Sequence, residues 1–200
     1  MSEGERTGHR VLDPETLRRF EALALPHLPH LYRLAVRLKH TAQDAEDLVQ
    51  ETYVKALRAF PTLRDPERIR SWLRQILSRL VYDRHGEPRE VAVGNLAELD
   101  RFSLYDLIDQ EDPFPYSDQL HRDFLARFGD DEVRRALLAL PEAYRVPLVL
   151  LYVEELSYKE LAAALDCPVG TIMSRLHRGR KILERELWEC ARQRGIVRAR

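Results

Sequence analysis

Two hundred residues suit one sizeable domain or two small ones, and 44% apolar content is ordinary for a chain that folds. No apolar run approaches the roughly 18 residues of a membrane span, and residues 1–10 lack the apolar core of a secretory signal, so the chain reads as cytoplasmic, with no direct membrane insertion. Two cysteines, Cys167 and Cys190, are too few and too poorly placed for a disulfide framework or a zinc site and read as reduced thiols.

In chain order the periodicity is helical throughout, with no convincing alternating strand. Asp13-Pro14-Glu15 is an N-cap followed by proline at the first helical position, starting a helix that ends near Pro26. A second helix runs from about Pro29 to Lys39, with Leu31, Leu34, Ala35 and Leu38 on one face. Thr41-Ala42-Gln43-Asp44 resembles a capping box and opens a helix with Ala45, Leu48, Val49, Ala56, Leu57 and Phe60 on one stripe. Asp44, Asp47 and Glu51 lie on its opposite side, and Pro61 ends it. Asp65-Pro66 repeats the cap-plus-proline start of a helix reaching about Arg84, whose apolar face is Ile69, Trp72, Leu73, Ile76, Leu77 and Leu80.

Gly86, Pro88 and Gly94 then break regularity, and the acidic stretch through Glu111-Asp112-Pro113-Phe114-Pro115 reads as a linker. The next helical block begins near Ser117 or His121. Gly129-Asp130-Asp131 precedes one helix, Leu140-Pro141-Glu142 starts another that ends near Val153, and Ser157 caps a short one over Tyr158 to Leu165. A last long helix runs from about Pro168 past Trp188. The expected fold is all-α: two small helical domains, 12–85 and 121–193, joined by an acidic linker, 86–120, the C-terminal domain carrying a helix-turn-helix.

The formal net charge of −1 hides a blocked distribution. Thr41 to Glu51 holds four acids and no base; Arg64 to Arg84 holds six arginines against three acids; Thr171 to Arg200 holds nine bases against three acids. Such alternation suits a protein that holds two partners of opposite charge, a basic protein and DNA. On the last helix, Ile172, Leu176, Gly179, Leu183 and Leu187 form one arc at 100° per residue. Thr171, Ser174, Arg175, Arg178, Lys181 and Arg185 form another. Hydroxyls and guanidinium groups on one such face can read base edges in a major groove, and cations farther along can hold phosphates. A plain amphipathic surface helix would show the same two faces.

The segments 140–145, 156–162 and 169–180 are similar to the C-terminal domain of extracytoplasmic-function (ECF) sigma factors, a subfamily of the sigma-70 family. Asp44-Ala45-Glu46-Asp47-Leu48-Val49-Gln50-Glu51-Thr52-Tyr53 and Ile69-Arg70-Ser71-Trp72-Leu73 resemble that family's other domain, and the two matches stand in the right order. The resemblance implies an alternative sigma factor whose partners are core RNA polymerase, promoter DNA and an anti-sigma factor. It implies that Asp44, Asp47, Gln50 and Glu51 face a coiled-coil clamp of the polymerase. It places Arg70, Trp72, Arg74, Arg79 and Asp83 at the −10 element as single-stranded DNA, and Thr171, Ser174, Arg175, Arg178 and Lys181 at the −35 element. The linker would lie in the RNA exit path. Trp72 also belongs to the apolar stripe, so core packing competes with base stacking there. Two positions depart from the family pattern: Arg79 stands where an asparagine is frequent, although Asp83 matches, and Met173 where a base is frequent. The linker is long for the family.

An enzyme is not expected, nor any catalytic residue, metal site or cofactor. The seven histidines are scattered without ligand spacing, and no phosphate-cradling glycine loop or nucleophile motif occurs. The competing function is a conventional helix-turn-helix DNA-binding transcription regulator, which would bind duplex DNA unaided, usually as a dimer.

Overall fold

The computed structural model describes residues 13–82, 122–123, 125–126 and 128–193. The expected linker and Asp83 lie outside them. Eight α-helices and no strand are found among the described residues.

In the N-terminal unit, α1 (Pro14–Ala24) starts where the Asp13 carboxylate accepts from the Glu15 and Thr16 amides at 3.1 and 2.9 Å. α2 (Leu28–Leu38) turns all four residues of its expected apolar face, Leu31, Leu34, Ala35 and Leu38, into the core. α3 (Ala42–Ala59) opens on Thr41, whose hydroxyl accepts from the Asp44 amide at 3.0 Å and donates to the Asp44 carboxylate at 2.7 Å. Pro61 then forces the chain into a three-ten turn, Phe60–Thr62. A second such turn, Pro66–Arg68, is capped by Asp65 and leads into α4 (Ile69–Tyr82). α3 packs between α2 and α4. Phe20 meets the rings of Tyr53 and Phe60 edge-on, and the Tyr53 hydroxyl donates to the Ala24 carbonyl at 2.8 Å. Burial raises that phenol to about 12, so it remains a donor across the physiological range.

The C-terminal unit holds α5 (Asp130–Ala139), α6 (Glu142–Val153), α7 (Tyr158–Leu165) and α8 (Val169–Gln193). Ser157 opens α7 through a capping box: its hydroxyl accepts from the Glu160 amide at 3.3 Å while the Glu160 carboxylate accepts from the Ser157 amide at 2.8 Å. α7 stops because Asp166 takes the left-handed conformation, φ 52°, and the Cys167 amide returns to the Ala162 carbonyl at 3.1 Å. The turn points the chain into α8, which crosses α6 and α7 and buries Ile172, Leu176, Gly179, Leu183 and Leu187 as the arc predicts.

The two units touch directly: α4 packs on α6 and α7, and α2 on α5 and α6. Periodicity announces neither contact. An apolar cleft of about 670 Å³ opens between them, lined by Tyr32, Val36, Phe128, Leu137, Val149 and Val153 among others.

Candidate nucleic-acid interface

The acidic face of α3 is solvent-facing. Asp44, Asp47 and Gln50 are exposed and Glu51 is half-buried, with Lys55 at 3.6 Å from its carboxylate. Ala45, Leu48, Val49 and Thr52 anchor the other side of the helix in the core, so the carboxylates are held on a rigid support. Asp44 also completes the N-cap, which ties part of its charge to the helix end.

Only part of the expected basic set on α4 faces solvent. Arg70 is exposed, whereas Trp72 is half-buried and packed against the core, in keeping with its place on the apolar stripe. Arg74 reaches across to Glu154 at the end of α6, at 3.3 Å. Arg79 donates to the Ala164 carbonyl from Nε at 3.0 Å and to the Ala163 carbonyl from Nη2 at 3.3 Å. Two of the expected −10 arginines are therefore occupied by the other unit.

On α8, Ser174 and Arg178 are exposed and Thr171 is half-buried, together forming an open edge on the first two turns. Met173 is exposed beside them, and a Cβ at Gly170 would meet nothing within 4 Å. Arg175 is half-buried with its guanidinium 4.9 Å from the centre of the Tyr82 ring, and this burial lowers its pKa. Lys181 corrects the sequence reading. Its spacing puts it on the cationic arc, yet it is 6% exposed, on a helix against which α5 and α6 both pack. From Arg180 to Glu184 every residue is buried, so a single-stripe description fails there. Arg180 is structural too: its Nε donates to the Tyr152 hydroxyl at 2.8 Å.

Sequence reasoning missed the residues that join the units. His30 lies 3.1 Å from Glu154, whose side chain is 2% exposed. Burial of the ring lowers the His30 pKa, with Glu154 pulling the other way. Lys39 pairs with Glu142 at 2.9 Å, and Gln75 and Tyr82 contact Ala163 and Cys167. These partners stand 85 or more positions apart, and no local pattern signals them.

Residues 23–87 match the family model described as Sigma-70 region 2, and residues 130–183 match the one described as Sigma-70, region 4. The chain is 35% identical over 183 residues to the ECF RNA polymerase sigma factor SigE of Mycolicibacterium smegmatis, covering 90% of this chain and 67% of that protein. It is 31% identical to the RNA polymerase sigma-H factor of Pseudomonas aeruginosa, over 88% of this chain and 90% of that one. Among solved structures it resembles the sigma factor RpoE of Bartonella quintana, crystallised with the anti-sigma factor NepR. That likeness has a TM-score of 0.55 and 26% identity, and covers 86% of this chain and 98% of the other.

Proposed function

This chain belongs to the ECF subfamily of the sigma-70 family of RNA polymerase sigma factors, and we propose that its two helical units divide the tasks of an alternative sigma factor between them. Such a factor joins core RNA polymerase and directs it to specific promoters; catalysis belongs to the polymerase, so the chain itself acts as a non-enzymatic subunit in the cytoplasm. The unit over 12–85 takes the core polymerase and the −10 element, and the unit over 121–193 takes the −35 element. The acidic linker, 86–120, runs along the RNA exit path.

The observation that carries this division is the pairing of two opposite surfaces on rigid helices. One is the exposed carboxylate face of α3. The other is the open edge of α8 formed by Thr171, Ser174 and Arg178. A basic coiled-coil suits the first, and a major groove the second. Lys181, being buried, drops out of the DNA-reading set, while Arg175 remains in it. An anti-sigma factor is the expected regulator, a reading supported by the likeness to a sigma factor crystallised with one, and the apolar cleft gives such a partner a surface of suitable chemistry.

In vitro transcription tests the whole reading: the purified chain added to core polymerase should give promoter-specific initiation. Tight, specific duplex binding by a dimer without polymerase would instead support a conventional regulator. Two substitutions test the surfaces separately. Asp47→Lys reverses charge at an exposed position in the middle of the acidic face and should weaken core binding in a pull-down while leaving the helical circular dichroism intact; normal core affinity would refute the assignment. Arg178→Ala should weaken −35-dependent initiation by about 1–3 kcal/mol, roughly 5- to 150-fold, for a base-reading arginine. Unchanged initiation from a −35-dependent promoter would remove Arg178 from the interface.

A further inference from the structure

We infer that Met173 reads a base of the −35 element, taking the 5-methyl group of a thymine in the major groove, and that it thereby sets a thymine preference at one −35 position. The inference deepens the division of tasks above and rests on it.

From Val169 to Arg178, the first turns of α8, the exposed residues are Val169, Gly170, Met173, Ser174 and Arg178. At about 100° per residue, Val169 and Met173 border this edge on one side, Gly170 and Ser174 form its middle, and Arg178 borders it on the other. The edge carries one cation and no acid. Neighbouring cations of α8 are withdrawn from it: Arg175 is half-buried against the Tyr82 ring, and Arg180 and Lys181 are buried. Met173 is 54% exposed, the highest value for a large apolar side chain among the described residues, and Val169, one turn before it, is 38% exposed. A single exposed methionine needs no explanation. Two apolar side chains one turn apart, on the edge that also carries Ser174 and Arg178, call for an apolar surface that none of the described residues supplies.

The floor of a major groove supplies such a surface where it holds thymine, whose C5-methyl group points into the groove and is contacted by apolar side chains. Methionine suits that contact. It is unbranched, with three rotatable bonds, so its thioether and terminal methyl can extend from a helix laid in the groove and adjust to the spacing. Gly170 helps the approach. A Cβ there would meet nothing within 4 Å, so packing inside the protein does not require a glycine, and the bare backbone lets the helix come close to the groove wall. Ser174 and Arg178 then make polar contacts beside the methyl. A cation at position 173 would instead favour guanine or phosphate, so the methionine changes which base is selected.

The test uses the full chain with core polymerase and a promoter pool randomised over the −35 region, from which in vitro transcription selects the preferred element. That element is then rebuilt with each −35 thymine, on either strand, replaced singly by deoxyuridine, which removes the methyl and nothing else. Below saturating holoenzyme, one such replacement should lower initiation by the unaltered chain about three- to fivefold, the loss expected when one methyl leaves an apolar contact. Met173→Gln keeps the length and helix propensity of the side chain but ends in a polar amide, and it should be indifferent to that replacement. Met173→Leu, still apolar, should keep most of the sensitivity. Both variants should retain the circular dichroism of the parent, since the position is exposed. Selection repeated with Met173→Gln should lose the thymine at that position and leave the other −35 positions as they were. A selected −35 element without thymine, or no thymine at which the parent is more sensitive to deoxyuridine than Met173→Gln, would overturn the inference. So would an equal loss by Met173→Gln on every template, which would mean that Met173 meets a protein rather than a base. No promoter-specific initiation from any member of the pool by the unaltered chain is a different result: it overturns the functional reading itself, and the inference falls with it.

Discussion

Replacing Glu142 by alanine should destabilise the C-terminal unit by about 3–5 kcal/mol, enough to leave much of it unfolded near physiological temperature. Arg145 is among the most buried side chains of the protein, 2% exposed, and it stands in the first turns of α6, where the helix dipole disfavours a cation. Two groups compensate. Its Nη1 donates to the Leu138 carbonyl in the last turn of α5 at 2.9 Å, and its Nη2 to the Glu142 carboxylate at 3.3 Å. Burial pushes the Arg145 pKa down and Glu142 pushes it back up, so the carboxylate is what keeps a charged guanidinium tolerable there. Without it the positive charge remains in place, out of water and short of a partner. The same carboxylate oxygen also receives Lys39 from α2, so two losses need separating. Lys39→Met removes only the inter-unit bond and should cost on the order of 1 kcal/mol. Adding Arg145→Met to Glu142→Ala should recover most of the stability, since a well-packed apolar replacement of a buried pair is close to neutral. Denaturant melts of the three variants, followed by circular dichroism, decide the matter. A Glu142→Ala loss below about 1 kcal/mol would mean that water reaches Arg145.

The helices themselves were legible because each boundary has a local cause. Asp13, Thr41, Asp65 and Ser157 all cap as their side chains suggest, and Pro61 ends α3 where a missing amide hydrogen should. The core face of α8 was legible for the same reason, at least up to Gly179, where one neighbouring layer decides burial. Beyond that point every residue from Arg180 to Glu184 is buried, and a cation on the nominal outer arc, Lys181, ends up inside. What the sequence could not convey was the pairing of distant groups. Arg79 carries no mark that its partners are two alanine carbonyls 84 and 85 positions later, because a backbone carbonyl has no residue identity to read. His30 carries no mark of its partner either, since the carboxylate that meets it lies 124 positions away.

Gly179 was placed in the apolar arc by its spacing, but spacing alone does not explain why that position lacks a side chain. A glycine in mid-helix costs about 1 kcal/mol relative to alanine, so its presence calls for a steric reason. The reason is the crossing of α8 over α6. A Cβ at this position would stand 2.9 Å from Leu148 Cδ1 and 3.3 Å from Tyr144 Cβ. The leucine methyl lies at the end of a rotatable side chain, yet Leu148 is itself fully buried, and the tyrosine Cβ is fixed to its backbone. Gly179→Ala should therefore come out within about 1 kcal/mol of the parent, the gain in helix propensity offsetting the tight contact. Gly179→Val adds two branches that the gap cannot take and should cost about 2–3 kcal/mol, lowering the melting temperature of the unit by roughly 10–20 °C. Because Thr171, Ser174 and Arg178 ride on the same helix within about two turns of the crossing, tilting α8 away from α6 should also reduce −35-dependent initiation at temperatures where the unit is still folded. A valine variant as stable as the alanine one would show that α6 and α8 do not meet this closely. A valine variant that melts early but initiates normally when folded would show that the reading edge tolerates the tilt.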